Sequence, residues 1–527
     1  MKVFNTTGLC LPQKHYMVDI TERVLQIKAM VDNGDYFTIN RARQYGKTTT
    51  LAALETNLSN EYTVLRLDFQ AIGKADFADE ESFVKTLSRI IIKKAKNTAM
   101  PNKVEQSFED FAARTVERAR FNELFDLISR WCEQTEKPIV LMIDEVDSAS
   151  NNDVFLDFLA QIRLMYLERY NSPAFQSVIL AGVTDIRHLK SKLRDDEQAK
   201  VNSPWNIATD FRVDMSLSSE GIKGMLDDYE GDHKTGMNTA RAAQLIHDYT
   251  SGYPFLVSRI CQIVDTQLVP DKFGSLSDAW TKDGLLAAIK IVLAEKNTLF
   301  QSLIGKIINS NYLKTIIKRI LIEGASIPYN ADNEDLDILS MYGFIKENNS
   351  RVCISNRIFE TRLYNYLCSV EETGESSFSN ESELAKNIFI KNGKLDMCLI
   401  MEHFIKTYTQ IFGTLEERFK EKDGRELFLL YLRPIINGTG NYYIEAQTRD
   451  MTRMDIVVDY LGEQYVIELK IWRGEKYNTD GEQQLSEYLE HLNLNVGYML
   501  TFNFTRSKEQ GVKRVTVGDK VIFEATL

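Results

Sequence analysis

Three sets of residues in this chain have the types and spacing for chemistry on phosphates. The first closes the stretch Phe37-Thr-Ile-Asn-Arg-Ala-Arg-Gln-Tyr-Gly-Lys-Thr-Thr-Thr50. Gly46 has no Cβ and lets the backbone come close to a phosphate. Lys47 supplies a point charge for the β- and γ-phosphates, and the Thr48 hydroxyl is a ligand for Mg²⁺. The second set is Asp144-Glu145, at the end of the apolar run Pro138-Ile-Val-Leu-Met-Ile. Asp144 is placed to hold Mg²⁺, and Glu145 to orient and deprotonate a water attacking the γ-phosphate. The third set is Asp455, Glu468 and Lys470. Two hard carboxylate ligands for Mg²⁺ or Mn²⁺ beside an amine suit hydrolysis of a phosphodiester.

Elements must position these groups. A strand over 35–40 and a helix over 48–57 flank the first loop, so helix N-terminal N–H groups face the anion. The full pattern G-x-x-x-x-G-K-[ST] has a glycine where this chain has Arg41. Arg41 and Arg43 could add charge near the phosphates or be solvated loop residues. Further strands are expected over 62–69, 138–144 and 177–184, with polar Thr184 at the tip of the last, and a fifth over 211–217. A largely helical stretch over 79–133 and a helix over 153–170 lie between. Strands alternating with helices predict a parallel, doubly wound sheet. Five apolar residues ending in two acids fit a central strand that delivers carboxylates at its C-terminal edge. Ahead of the loop, Tyr16 either stacks on a base or packs against the first strand.

Composition bounds the rest. At 527 residues the chain has room for several domains. A net charge of −12 argues against a generally basic nucleic-acid-coating protein, while leaving room for a local basic groove. The 6 cysteines are scattered without a C-x-x-C pair, which points to a reducing compartment. The first twenty residues lack a long apolar core, so no signal peptide is expected. No run approaches the roughly 20 apolar residues of a membrane span. The expectation is a cytoplasmic protein with no membrane contact.

On these residues, positions 1 to about 290 resemble the AAA-like P-loop ATPases of bacteria, near the STAND and archaeal-ATPase branch. Arg41-Ala-Arg-Gln-Tyr-Gly-Lys-Thr matches that family's glycine-poor loop. Ile143-Asp-Glu-Val-Asp147 matches its Walker B strand, and Gly182-Val-Thr-Asp-Ile-Arg187 its sensor strand. Ser203-Pro-Trp-Asn-Ile-Ala208 and Gly252-Tyr-Pro-Phe255 are also family-like. The resemblance implies ATP binding and hydrolysis. The expected ATP contacts are Arg41, Gln44, Tyr45, Gly46, Lys47, Thr48, Thr49, Asp144 and Thr184. It further implies that Gly252-Tyr-Pro opens a lid helix with Arg259 as a second sensor, that Arg187 and Arg212 are candidate trans-acting fingers, and that the ATPase part supports a homo-oligomer.

Helices to about 268 would form the lid. Residues 298–368 read as a winged helix: two helical stretches, then a hairpin about Asn348-Asn-Ser350. It would serve as a partner-contact module, or touch DNA through Lys314, Lys318 and Arg319. The acidic, serine-rich stretch 370–382 reads as a linker. The expected division is therefore an ATPase core over 1–217, a helical lid over 218–295, a winged helix over 296–369, a linker and connecting helix over 370–395, and a separate α/β domain over 396–527.

In that last domain a helix over 396–412 and another from about 424 precede strands over 441–447, 454–460 and 464–470. Gly462 makes the last two a hairpin. Glu468 and Lys470 are two apart on one strand and point to one face. Gln484 and Tyr488 are four apart on the following helix. This set resembles the PD-(D/E)XK nuclease superfamily, with Met454 in place of its proline and Glu426 matching its first-helix acid. The resemblance implies a restriction-endonuclease-like fold, a metal held by Asp455 and Glu468, a nucleic-acid substrate, most naturally DNA, and a bacterial defence or mobile-element setting. The whole reads as an ATPase whose nucleotide state gates a nuclease. The alternative is an ATP-dependent switch or scaffold whose C-terminal fold binds nucleic acid or protein without cutting.

Overall fold

The computed structural model describes residues 2–95, 100–116, 118–149, 152–183, 205–321, 327–330, 332–372, 386–391, 394–412, 421–436, 440–443, 456–460, 463–472, 474–492, 494–503, 505 and 510–527. The chain forms two compact units. One comprises Met1–His247, Gly252–Gln262 and Ser340–Gly343, and the other Asp248–Ser251, Ile263–Leu339 and Phe344–Leu527.

The first unit is built on four parallel strands: β1 (Tyr36–Asn40), β2 (Thr63–Asp68), β3 (Ile139–Asp144) and β4 (Ser177–Gly182), in the order β1-β4-β3-β2. Every residue of β3 and β4 is buried, because both sheet faces are covered. Alternate side chains sort to the two sides. Phe37, Ile39, Val140, Met142 and Ile179 pack with α1 (Thr21–Asp32) and α2 (Lys47–Leu58). Tyr36, Leu65, Leu141, Ile143 and Leu180 pack against an aromatic layer from α3 (Glu80–Ala95), α4 (Asn102–Ala113), α5 (Phe121–Gln134) and α6 (Asp153–Glu168). Since all four strands are parallel, their C-terminal ends meet at one edge, and the phosphate loop and the acids follow from there.

The expected fifth strand over 211–217 does not form. A single parallel bridge joins Thr209 to Phe37. Beyond it, side chains take the backbone groups a ladder would use. Arg41 donates to the Val213 carbonyl at 3.0 Å, Arg23 to the Ser216 carbonyl at 2.9 Å, and Asp214 accepts from the Ser216 amide at 2.9 Å. The alternating apolar residues still bury: Phe211 lies parallel to Phe37 at 5.8 Å, and Met215 joins the core. Tyr16 also departs from expectation. It is buried against Phe4 and Tyr229 of α7 (Ser219–His233), and its hydroxyl donates to Asp232 at 2.7 Å. Two more helices follow, α8 (Thr239–Thr250) and α9 (Pro254–Thr266).

The second unit contains α10 (Lys282–Ala294), α11 (Thr298–Ile308), α12 (Asn311–Leu321), α13 (Glu334–Met341), the hairpin β5 (Ile345–Asn348) and β6 (Arg351–Ile354), and α14 (Arg357–Glu372). Asn349 and Ser350 both have positive φ, 49° and 61°, as a two-residue hairpin turn with the strands' own twist requires. The expected linker falls almost wholly outside the described residues. Then come α15 (Met397–Phe412), α16 (Glu421–Ile436) and a six-stranded mixed sheet. Its strands are β7 (Gly440–Tyr443), β8 (Ile456–Tyr460), β9 (Glu463–Ile471), β10 (Val496–Phe502), β11 (Gly511–Val517) and β12 (Lys520–Thr526), in the order β11-β12-β10-β9-β8-β7. Helix α17 (Glu475–His491) covers one face through Leu485, Tyr488 and Leu489, against Val457, Val466, Met499 and Ile522. Glu468 and Lys470 have the parity of Val466 and so share the face beneath α17. Among the described residues no helix is long and apolar enough to cross a membrane.

Candidate active sites

In the first unit, β1 delivers the chain to the sheet edge and the loop 41–46 turns it into α2. Gln44 (φ 57°) and Gly46 (φ 80°) make that turn in the left-handed region. A Cβ on Gly46 would meet nothing closer than Pro254 Cγ at 4.0 Å, so the glycine is needed for its backbone angle, not for space. No side chain caps α2 at Gly46. Its first N–H groups are left for an anion. Lys47 is buried, and its ammonium donates to the carbonyls of Arg41 at 2.9 Å and Ala42 at 3.1 Å. Burial holds the Lys47 pKa below the usual lysine range, against the opposing pull of Glu145, Asp147 and Asp144.

Asp144 ends β3 with 4% of its surface exposed, and its Oδ1 accepts from the Glu145 amide at 3.0 Å. Glu145 is in the left-handed region at φ 54°, and burial raises its carboxyl above the ordinary range, with Asp144 and Asp147 adding to the rise and Lys47 opposing it. Lys47 and the acid pair therefore share one electrostatic neighbourhood at the sheet edge. Thr48 and Thr49 stand in the first turn of α2, where the Thr49 hydroxyl accepts from the Cys10 amide at 3.2 Å. Thr184 and Arg187 lie outside the described residues. Arg41 is half-buried. Its guanidinium donates to the Asn40 and Val213 carbonyls at 2.8 and 3.0 Å and lies 5.3 Å from the Phe211 ring. Arg259 donates to Gln262 at 2.6 Å, and the exposed Arg212 pairs with Asp210 at 3.5 Å.

Two residues that sequence reasoning left without a role complete this site. Asp147 Oδ2 accepts from the Val183 amide at 2.6 Å, tying the turn after β3 to the end of β4. Gly182 permits that approach, since a Cβ there would stand 2.7 Å from Val146 and 3.0 Å from Asp147 Oδ2. Tyr253 donates its hydroxyl to the Arg43 carbonyl and meets Tyr45 edge-on at 4.7 Å. Gly252 holds it there: at φ 70° a Cβ would stand 2.1 Å from the Leu217 carbonyl oxygen. The family-like Gly-Tyr-Pro was the legible signal for Tyr253. For Asp147 the only one was its place in Asp-Glu-Val-Asp.

In the second unit, β8 and β9 form the expected antiparallel hairpin, with Ile456 opposite Ile467 and Tyr460 opposite Glu463. Asp455, which immediately precedes Ile456, lies outside the described residues, as do Met454 and the side chain of Glu426. Glu468 is 2% exposed and sits on β9 between two paired strands. Lys470 Nζ lies 2.9 Å from Glu468 Oε1 and 3.3 Å from Gln484 Oε1 of α17. Gly481 makes the room, because a Cβ there would be 3.1 Å from Lys470 Cε. Tyr488 instead sits in the core beneath the helix. Nearby, Glu524 is nearly wholly buried, accepting from Asn478 at 2.9 Å and Thr501 at 3.2 Å and pairing with Lys513 at 2.8 Å. Among the described residues no three His, Cys, Asp or Glu side chains converge as a metal cage.

A parallel sheet whose edge carries a phosphate loop, an uncapped helix end and a buried Asp144 followed by Glu145 is the core of a P-loop ATPase. Residues 13–365 match the AAA-like domain model, and the chain belongs to that family. Residues 441–515 match the PD-(D/E)XK nuclease superfamily. Comparison with curated proteins returns no match. Among solved structures, a Walker-type ATPase of Pyrococcus abyssi is 13% identical, with a TM-score of 0.46 over 68% of this chain and 99% of its own. Cdc6p of Pyrobaculum aerophilum is 13% identical, with a TM-score of 0.32 over 71% of this chain and 98% of its own. The RuvB Holliday junction branch migration motor of Thermotoga maritima is 15% identical, with a TM-score of 0.31 over 66% and 95%.

Proposed function

We propose that this protein is an ATP-dependent nuclease in which the AAA-like part binds and hydrolyses ATP, and its nucleotide state gates phosphodiester cleavage by the C-terminal domain. The observation that carries the cutting half is the Lys470–Glu468 contact of 2.9 Å on a buried strand, under a helix that supplies Gln484. The ATP half is supported by Lys47, which is buried at an uncapped helix end and bonded only to loop carbonyls that a triphosphate could replace.

The donors fit the groups they would hold. Thr48 and Asp144 would ligate Mg²⁺ with the nucleotide, and Asp455 and Glu468 would ligate Mg²⁺ or Mn²⁺ with the scissile phosphate. A divalent ion in either place supplies positive charge to phosphate oxygens and makes a bound water more acidic. The protein's own groups do the rest. Lys47 leaves the Arg41 and Ala42 carbonyls for the β- and γ-phosphates. Glu145, with its raised pKa, is a stronger base than an ordinary glutamate and takes the proton of the attacking water. Lys470 orients the water at the second site, with Gln484 fixing the ammonium.

The domain division given above, with 296–369 as a winged helix and 396–527 as the nuclease part, belongs to this proposal. It is supported by three helices followed by the β5–β6 hairpin, and by the six-stranded sheet with α17. DNA is the expected substrate. The free cysteines among the described residues support a reducing, cytoplasmic setting. The family resemblance supports a homo-oligomer built through the ATPase part. The test is nicking of supercoiled plasmid with Mn²⁺, with and without ATP, by wild type, Asp455→Ala and Lys47→Ala. Cleavage that Asp455→Ala retains refutes this nuclease site, and wild type that does not nick leaves a switch that binds without cutting. Cleavage that is equal with and without ATP in wild type refutes the gating.

A further inference from the structure

Asp459 has no part in either proposed site, yet it is deeply placed. It lies on β8, in the hairpin that carries Glu468 and Lys470, and is 8% exposed. Its Oδ2 accepts a hydrogen bond of 2.7 Å from the hydroxyl of Tyr249 on α8. Gln464, its cross-strand partner, also bonds to it. Arg357, which opens α14, stands 5.7 Å from the Tyr249 ring, and its charge acts on Asp459 together with those of Lys282 and Lys290 on α10. Tyr249, Lys282, Lys290, Arg357 and Asp459 all belong to the second unit. One carboxylate of the hairpin thus gathers partners from three helices that lie before the linker.

A buried carboxylate persists only when it is paired and hydrogen-bonded. Even so, burial raises Asp459 above the usual carboxylate range and raises Tyr249 well above the usual phenol range. A purely structural contact at this position could be apolar at no loss. The polar choice makes the contact between α8 and this edge of the hairpin depend on a directional bond, which a small movement of α8 would break.

The chain that leaves α8 just past Tyr249 leads to the phosphate loop. Four residues after Tyr249, Tyr253 donates to the carbonyl of Arg43 inside that loop. Ser251 (φ 46°) and Gly252 (φ 70°) make the turn between the two tyrosines, and Gly252 has no room for a Cβ. The chain passes from one unit to the other at this turn. We propose that the Tyr249–Asp459 hydrogen bond is a latch through which the nucleotide state of the phosphate loop, read by Tyr253, sets the position of the hairpin that carries Glu468 and Lys470. This rests on the gating reading above and names its mechanical link.

The test uses the full-length protein and the variants Tyr249→Phe and Asp459→Asn, with a non-hydrolysable ATP analogue and Mg²⁺ as the probe. Hydrogen–deuterium exchange is read at 456–460 and 463–471, and plasmid nicking with Mn²⁺ is read in parallel. In wild type the analogue is expected to change hairpin exchange by about tenfold, the scale of a typical intersite coupling. In both variants the hairpin exchanges at one rate with and without the analogue, while ATP hydrolysis persists. A wild-type hairpin that ignores nucleotide, or variants that respond as wild type does, overturn the latch. If wild type does not nick DNA but its hairpin responds, the nuclease reading fails and the latch stands. Circular dichroism checks folding. If Tyr249→Phe does not fold, Asp459→Asn decides, and if neither folds the bond is structural and the latch is refuted.

Discussion

The two lysines at the centre of the proposed chemistry are held in opposite ways. Lys47 is buried and bonded to two backbone carbonyls, with Asp144, Glu145 and Asp147 acting on it electrostatically but none bonded to it. Lys470 is paired with Glu468 at 2.9 Å, and Gln484 stands on its other side. Carbonyl bonds are weak compared with an ion pair in the same surroundings. Lys47 is therefore parked and free to be taken by an incoming anion at little cost. Lys470 and Glu468 balance each other, so the site keeps its geometry without a ligand. On the proposed function, one site would be reorganised by its substrate and the other would be ready before it arrives.

The largest effect expected from this contrast is on cleavage. Lys470→Ala or Glu468→Gln should lower the plasmid-nicking rate by about 10³–10⁴-fold, since each removes a group that the proposal sets at the reacting phosphate. ATP hydrolysis by these variants should stay near wild type, and a parallel fall would break the separation of the two sites. Lys47→Ala should lower ATP hydrolysis by about 10²–10³-fold, the usual loss for one positioned donor. Isothermal titration with MgATP checks whether binding falls with it.

Stability should divide the two lysines in the same sense. Lys470→Ala leaves Glu468 buried without its counter-charge and should cost about 3 kcal/mol. Lys47→Ala strands two carbonyls but also removes a buried charge, so its cost should be about 1 kcal/mol or less. Thermal unfolding of both variants reads the difference, and equal losses would remove the distinction between parked and paired. Next in size is a pH effect. Burial raises the pKa of Glu145, so its base form is lost as pH falls through a value above the ordinary glutamate range. The acid limb of the ATP-hydrolysis profile should lie correspondingly high and vanish in Glu145→Gln. A comparably small effect belongs to Tyr253→Phe, which removes one hydrogen bond to the phosphate loop and should cost about 1 kcal/mol in unfolding experiments.

Much of this was legible residue by residue. The apolar runs 139–143 and 178–181 had to be strands covered on both faces, and Gly46-Lys47 had to sit where a strand turns into a helix. The Glu468-x-Lys470 spacing on an alternating strand was enough to place both on one face. The stretch 211–217 misled because its alternation is real but its carbonyls are claimed by Arg23 and Arg41. Arg41, in the place of the motif's first glycine, bonds to the backbone carbonyls of Asn40 and Val213, partners that no local pattern announces. Tyr488 has helical spacing from Gln484, yet its ring fills the core while Gln484 reaches Lys470.

The chain by itself thus determined the two families and the elements that carry their motifs, because periodicity and local motif spacing depend only on near neighbours in sequence. Only the tertiary structure decided which charges are parked, paired or buried alone. The Tyr253 clamp on the phosphate loop and the Tyr249–Asp459 bond join residues 210 positions apart. No local pattern encodes such pairs, since they exist only after packing has expelled the water that would otherwise satisfy each group.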